Sequence, residues 1–255
     1  ERTIDLLDGA GILHTGTFKD TLDWLNNYPL ILSAKGFRIS LLNYTYGTNG
    51  MPVVKPNLVN RIDTARIRDD LRRAREQQTD AIIVFFHWGR EYVNYPDDWQ
   101  RRLAEFCFLL GAKLVIGAHP HVLQPMEWKK ESDQLVVYSL GNFVSEQRDR
   151  YKNGGAMLHV DLQKIQRHDS TYAVSIADAS YSLEYVHRSD NPRRTYHILP
   201  LARFDGDTTF VRNRYARERM AEFGEDARSL YGKENKNIPE RPKPTLPTPP
   251  VSQKD

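Results

Sequence analysis

The stretch Lys113-Leu-Val-Ile-Gly-Ala-His-Pro-His121 decides the predicted fold. Residues 113–117 are mostly apolar and predict a short buried strand. His119 and His121 follow at its C-terminal end, and Pro120 stiffens the backbone between them. Open α/β sheets place their ligands at this end of their strands. Two histidines one residue apart on a turn can address two neighbouring points. We therefore expect a ligand site here, although a loop with two solvated histidines would show the same spacing.

A further histidine follows a second predicted strand. The run 80–86, which is apolar after Asp80, is typical of a central parallel strand and leads into His87-Trp-Gly-Arg-Glu-Tyr92. Taken alone, His87 is equally well explained as a buried histidine bonded to a backbone carbonyl. Together with the two histidines after residue 117, it predicts one shared site. Neutral imidazoles suit Zn, Mn or Fe ions, and Glu91 is a candidate ligand or orienting carboxylate.

Helical and strand patterns alternate through the first half of the chain. A strand–helix–strand–helix–strand order predicts parallel pairing with right-handed crossovers. The fold class is therefore α/β, with a sheet flanked by helices. The predicted helices cover residues 2–9, 18–26, 63–78 and 97–111, and the predicted strands cover 29–32, 37–43, 80–86 and 113–117.

The second half of the chain is richer in strand patterns. They cover residues 122–128, 134–138, 155–162, 171–187 and 195–201, and a charged helical stretch follows at 211–231. From Lys233 onward the chain is rich in Lys, Glu and Pro and predicts a flexible tail, because few apolar residues remain to offset the entropy of folding. The predicted parts are thus an α/β domain (1–165), a β-rich extension with a terminal helix (166–232) and a Pro-rich tail (233–255).

The composition is that of an ordinary globular chain. Of the 255 residues, 40% are hydrophobic and 27% are charged, and the net charge of +3 is too small to indicate a nucleic-acid partner. The single cysteine, Cys107, excludes an internal disulfide and lies in an apolar stretch, so we expect a buried thiol. No Gly-x-Ser-x-Gly motif indicates a serine nucleophile.

Several polar residues near these motifs are candidates for contacts with a substrate. Asn142, after the predicted strand 134–138, could orient a histidine or bind substrate, or it could belong to a simple Gly-Asn turn. The loop 44–50 contains Tyr46 and Asn49, whose hydroxyl and amide could line a polar cleft. Arg90 and Arg148 could pair with a phosphate or carboxylate, or they could be surface cations.

Four ordered motifs carry a resemblance to a known family. HWGREY (87–92), GAHPHVLQP (117–125), VVYSLGNFV (136–144) and YTYGTNG (44–50) are similar to motifs of the CapA-type proteins of poly-γ-glutamate capsule biosynthesis. These proteins belong to the calcineurin-like metallophosphoesterase superfamily. The resemblance implies a metallophosphoesterase-type fold and divalent ions, Mn, Zn or Fe, with two ions in a complete protein. It implies His87, His119 and His121 as metal ligands, and His87, Glu91 and Asn142 as the catalytic set.

The chain also departs from that family. The resemblance implies further ligands on a Gly-Asp strand end, an Asn-Leu-Glu segment and an Asn-Asn-His turn, all upstream of Glu1. We therefore expect the C-terminal part of a family member. This part alone should bind metal weakly or substoichiometrically, and it should form a dimer or keep an N-terminal fragment as partner.

Two functions from different classes follow from the resemblance. The first is a metal-dependent hydrolase or transferase that acts on an anionic polymer or phosphate ester in capsule or cell-envelope biosynthesis. Its location would be exported or membrane-anchored, with the anchor upstream of Glu1, and capsule-synthesis membrane proteins would be its partners. The second is a non-catalytic polymer-binding or assembly subunit, which the missing ligands and the Pro-rich tail favour.

Overall fold

A six-stranded mixed sheet lies at the centre of the protein. The computed structural model describes residues 2–167, 171–189 and 193–242. The strands are β1 (Thr17–Phe18), β2 (Leu30–Ala34), β3 (Phe37–Thr45), β4 (Leu58–Val59), β5 (Ala81–His87), β6 (Leu114–Ala118), β7 (Leu123–Lys129), β8 (Gln134–Leu140), β9 (Gly154–Gln166), β10 (Tyr172–Ser189) and β11 (Thr195–Pro200). The helices are α1 (Arg2–Gly9), α2 (Thr21–Asn27), α3 (Thr64–Glu76), α4 (Asp98–Leu109), α5 (Leu201–Phe204) and α6 (Arg214–Glu234).

The order of the central sheet is β2-β3-β5-β6-β8-β7. Strands β3, β5, β6 and β8 run parallel, and β2 and β7 pair antiparallel at the two edges. Helices α3 and α4 connect the parallel strands, so the predicted α/β class is confirmed. His87 is in register with Thr45 on one side and with Ala118 on the other. The residues that follow these three strands therefore meet at one edge of the sheet.

Side-chain caps begin the two crossover helices. The Asp63 carboxylate accepts from the first backbone N–H groups of α3, and Asp97 forms a reciprocal capping box with Gln100 at α4. The apolar stripes of both helices cover one face of the sheet. Cys107 is fully buried in this layer, and burial raises the pKa of its thiol to about 12.

A second layer covers part of the other face. Strands β9, β10 and β11 form an antiparallel sheet, and α6 packs against β7 and β10. Met126 and Leu135 of the central sheet share a core with Leu183, Phe223 and other residues of this layer. The β-rich extension thus begins with β9 at residue 154, earlier than its predicted start at residue 166. No helix in the described part of the chain has both the length and the apolar character needed to cross a membrane.

Two local boundaries differ from the prediction. The helix predicted at 18–26 begins at Thr21, because residues 17–18 pair with β4 and the Asp20 side chain caps α2. The flexible tail does not begin at Lys233 either. Helix α6 continues to Glu234, and the segment 235–242 packs on the body, where the Arg228 guanidinium donates twice to the Glu240 carboxylate at 2.8 and 3.0 Å. The rest of the predicted tail, residues 243–255, lies outside the described residues.

Candidate metal centre

Three histidines lie together at the carboxyl edge of the parallel strands. The ring centroids of His87 and His119 are 4.5 Å apart, and those of His119 and His121 are 6.1 Å apart. Ligand atoms of His119, His121 and Glu91 all lie within 4.8 Å of one another. The strand ends place these side chains, since His87 closes β5 and the other two histidines follow β6.

The turn that carries two of the histidines has an unusual backbone. His119 has φ +104° and His121 has φ +59°, values that cost non-glycine residues about 1–3 kcal/mol each. Hydrogen bonds hold this conformation. The Pro120 carbonyl accepts from the Tyr92 N–H at 2.8 Å, and the Ala118 carbonyl accepts from the Trp88 N–H at 3.0 Å. The two motif loops are therefore fixed to each other, with their side chains turned toward the same edge.

Close packing beneath the turn requires a glycine. A β-carbon at Gly117 would lie 2.1 Å from the Tyr138 carbonyl oxygen and 2.3 Å from Trp88 Nε1. The Trp88 indole uses this space to donate to the Tyr138 carbonyl at 2.9 Å, fully buried. The hydrogen bond ties β8 to the residue that follows His87, across β6.

Asn142 fixes the proton position on His121. The Asn142 Nδ2 group donates to the Lys152 carbonyl at 2.7 Å, and a carbonyl oxygen can only accept. The amide oxygen of Asn142 must therefore face His121 Nδ1, at 2.8 Å, and Nδ1 must carry the hydrogen. In the neutral imidazole this leaves the lone pair on His121 Nε2, the atom that lies 3.9 Å from Glu91 Oε1.

This arrangement tests whether the residues suit a metal ion. With His121 neutral, two atoms with lone pairs, His121 Nε2 and Glu91 Oε1, face each other, an arrangement that a bound cation would stabilise. Their separation of 3.9 Å is close to the roughly 3.4 Å that two ligands of a tetrahedral zinc ion require. The Glu91 carboxylate is about half-exposed and free to move by that difference. Imidazole and carboxylate donors are also the ligands that zinc, manganese and iron accept. The donor set therefore fits a divalent ion.

The histidines closest to the sheet favour their neutral forms. Burial lowers the pKa of His87, the neighbouring His119 and His121 lower it further, and Glu91 opposes the shift. Burial also lowers the pKa of His119, against the opposing effect of Glu91. The neutral imidazole is the form that binds metals, so both rings are ready to act as ligands near neutral pH.

Two tyrosines flank the histidines. The Tyr46 ring lies 4.4 Å from the ring of His119 and stacks on His87 at 5.8 Å, and its hydroxyl donates to Asn49 Oδ1 at 2.5 Å. Tyr92 stacks on His121 at 5.9 Å. Sequence reasoning missed Tyr92, although it closes the HWGREY motif. Substrate binding by Tyr46 and Asn49 stays a prediction.

The two candidate arginines lie in different environments. Arg148 donates to the backbone carbonyls of Val186, at 2.6 Å, and Ser145, so its guanidinium orders the extension. Burial lowers the pKa of Arg148. Arg90 is exposed in the turn between His87 and Glu91, where a substrate role for it stays a prediction.

Comparison with known proteins decides the family. The profile of the bacterial capsule synthesis protein PGA_cap matches residues 1–147, more than half of the chain. The chain belongs to this family. The matched residues 1–147 include His87, His119, His121, Glu91 and Asn142. The resemblance read from the four motifs is thus confirmed.

Two relatives from Bacillus are similar to parts of this PGA_cap chain. The PGA biosynthesis protein CapA of Bacillus subtilis is 39% identical over 89 residues, which are 35% of this chain and 23% of that protein. The capsule biosynthesis protein CapA of Bacillus anthracis is 44% identical over 68 residues, which are 27% of this chain and 16% of that protein. The matched stretches thus span less than a quarter of either relative.

The similarity of this chain to solved structures is weaker than its match to the family profile. The sulfate thiohydrolase SoxB of Thermus thermophilus, in complex with glycerol, has a TM-score of 0.42 at 15% identity, covering 91% of this chain and 35% of that one. The NAD nucleotidase of Haemophilus influenzae has a TM-score of 0.33 at 14% identity, covering 78% and 32%. These scores assign neither an activity nor a ligand to this PGA_cap chain.

Proposed function

We propose that this chain supplies the histidine part of a divalent-metal centre in a hydrolase or transferase of capsule or cell-envelope polymer biosynthesis. The convergence of His119, His121 and Glu91 within 4.8 Å is the observation that carries the proposal. Membership of the PGA_cap family supports the capsule context. The substrate would be an anionic polymer or a phosphate ester, and the location would be the cell envelope.

Each residue would have a distinct task at this centre. His119, His121 and Glu91 would hold the ion, His87 would be a further ligand beside His119, and Asn142 would keep the Nε2 lone pair of His121 directed at the ion. A bound divalent ion lowers the pKa of water and stabilises negative charge on a phosphoryl or acyl oxygen. Tyr46 and Tyr92 would shield the histidine rings from solvent. His119, His121 and Glu91 with an open position suffice for one ion, and a second ion needs oxygen ligands beyond those of this edge.

Metal titration of the purified chain tests this proposal. Zn²⁺ and Mn²⁺ are titrated calorimetrically into the wild type and into His119→Ala and His121→Ala variants. His159→Ala is the matched control, because this partly buried histidine of β9 bonds to Ser182 on β10 and to Arg241 in the C-terminal segment. We expect measurable binding of no more than one ion per chain by the wild type, and affinity losses above tenfold in the site variants only. Equal affinities in all variants, or no binding by the wild type, would refute the proposal.

Polymer binding without catalysis is the second candidate, and exposed aromatic rings favour it. Tyr46 is 44% exposed and Tyr92 is 46% exposed, beside the histidines. Exposed aromatic side chains are enriched in binding surfaces. If this candidate is right, affinity for poly-γ-glutamate survives His119→Ala and chelation, but it falls in a Tyr46→Ala variant. A metal-dependent hydrolase instead loses turnover in the histidine variant and on chelation.

A further inference from the structure

Two glutamines are buried beside the segment that carries Glu91. Gln100 of α4 is 1% exposed, and Gln124 of β7 is fully buried. The Gln100 Nε2 group donates to Gln124 Oε1 at 3.1 Å, and the Gln124 Nε2 group donates to the Val93 carbonyl at 2.7 Å. Glutamine is mostly exposed in proteins, because its amide needs both donors and acceptors. Packing alone does not explain this pair, since apolar side chains of similar size fill such a space as well.

Backbone groups at the two ends set the direction of these hydrogen bonds. The Asp97 N–H donates to the Gln100 side chain at 3.1 Å, so the atom that it meets must be the amide oxygen. The Gln100 NH₂ group then faces Gln124 and can only donate. At the other end, the Val93 carbonyl can only accept, so the Gln124 NH₂ group must face it. Both amide orientations are therefore determined.

The pair contacts the chain on both sides of Glu91. Before Glu91, Gly89 has φ +83°, and a β-carbon there would lie 2.8 Å from three atoms of the Gln100 amide. After Glu91, the Val93 carbonyl accepts the hydrogen bond from Gln124. The buried amides thus hold the backbone two residues before and two residues after the carboxylate.

The residue between Glu91 and the Gln124 hydrogen bond has an unfavourable backbone. Tyr92 has φ +65°, a value that side chains other than glycine rarely adopt. Its N–H donates to the Pro120 carbonyl at 2.8 Å, within the turn that carries His121. A segment held this way keeps its conformation only while the surrounding contacts enforce it. The buried glutamines supply two of those contacts.

We propose that Gln100 and Gln124 are positioning residues that set the place of Glu91 relative to His121. This role rests on the proposed function for its relevance to a metal ion. The amides fix the backbone around Glu91, and its carboxylate, 43% exposed, stays free to turn toward the ion. An apolar pair would fill the same space but would remove the donor to the Val93 carbonyl and release the segment.

Zn²⁺ titration of two variants at pH 7.5 tests this role. Gln124→Met keeps the side-chain length and removes both hydrogen bonds. Gln100→Glu keeps an oxygen for the Asp97 N–H, as in other capping boxes, and the N-terminus of α4 favours its ionised form, which has no N–H for Gln124. We expect both variants to bind Zn²⁺ about tenfold more weakly than the wild type. Gln134→Met is the matched control and should bind like the wild type, because Gln134 donates to the Phe108 carbonyl at the start of β8, away from the metal edge.

A double-mutant cycle separates positioning of Glu91 from a general loss of stability. In a Glu91→Ala background, Gln124→Met should change Zn²⁺ affinity by less than about twofold, because the ligand that Gln124 positions is already gone. Losses that multiply in the double variant would overturn the proposal. Wild-type Zn²⁺ affinity in Gln124→Met would overturn it as well.

Amide hydrogen exchange in the presence of a chelator gives a readout that needs no metal. The Tyr92 N–H should exchange about fivefold faster in Gln124→Met than in the wild type, because a hydrogen bond that closes the segment is lost. The Leu135 N–H, which donates to the Lys113 carbonyl in the central sheet, should change by less than about twofold. Equal acceleration of both amides would indicate general destabilisation and contradict the role. If the wild type binds no Zn²⁺, the proposed function fails, whereas the exchange of the Tyr92 N–H still decides whether the pair fixes the segment.

Discussion

Replacing Asn142 by alanine should weaken metal binding at His121 without unfolding the protein. The Asn142 oxygen accepts from His121 Nδ1 at 2.8 Å, and this bond leaves Nε2 free to bind an ion. Without it, the imidazole can rotate or carry its hydrogen on Nε2. Partners of this kind typically contribute 10–100-fold to metal affinity. The His121 side chain is 32% exposed, so water can replace part of the lost acceptor.

The expected loss of metal affinity therefore lies near the lower end of this roughly 10–100-fold range. We expect about tenfold weaker Zn²⁺ binding by Asn142→Ala, which corresponds to about 1.4 kcal/mol. Gln147→Ala is the matched control, because Gln147 accepts from the same amide at 3.0 Å but does not touch His121. Its Zn²⁺ affinity should stay within about threefold of the wild type, less than the loss of one hydrogen bond.

Calorimetric titration at pH 7.5, with thermal unfolding of each metal-free variant, measures both quantities. Zn²⁺ binding by Asn142→Ala as tight as that of the wild type would contradict the proposed role of Asn142. An equal loss of affinity in Gln147→Ala would contradict it as well, since the effect would then come from the loop and not from the histidine contact.

Three further predictions concern stability. The pKa values of His87 and His119 are lowered in the folded protein, so the unfolded chain takes up protons first as the pH falls. The metal-free protein should therefore lose stability below about pH 6.5. Urea unfolding at several pH values should show this loss, and a variant with glutamine at both positions should show a smaller one. Gly117→Ala should cost about 3 kcal/mol through the clash beneath the histidine turn, and a cost under about 1 kcal/mol would contradict that packing. Burial raises the pKa of Glu184, so the protein should lose stability as the pH rises above the ordinary pKa of a glutamate carboxyl. Glu184→Gln should remove this pH dependence in denaturant titrations and stabilise the protein at pH 7.

Much of the central sheet could be predicted because its signals are local. The apolar runs before His87 and His119 identify two strands, and Asp63 marks the start of a crossover helix. Parallel strands joined by helices place their carboxyl ends together, so the histidine cluster followed from the order of elements alone.

Other features depend on contacts between distant residues, which no local pattern reveals. Residues 235–242 look like a flexible tail in sequence, yet they are held by Arg228 and by backbone pairing with β7 and β10. Arg148 follows a site motif but bonds to β10. Asn60 lies in an ordinary polar stretch, and only the folded chain shows that its amide is buried at the wall of a cavity that also includes His87.

We propose that His119, His121 and Glu91 hold one divalent ion. The most direct test is a crystal structure of the chain grown with Zn²⁺ or Mn²⁺ and measured at the absorption edge of the metal. We predict one anomalous peak about 2.0–2.2 Å from an imidazole nitrogen of each histidine and from a Glu91 oxygen, with His121 bound through Nε2. Metal found only elsewhere on the chain, or His121 bound through Nδ1, would contradict the claim.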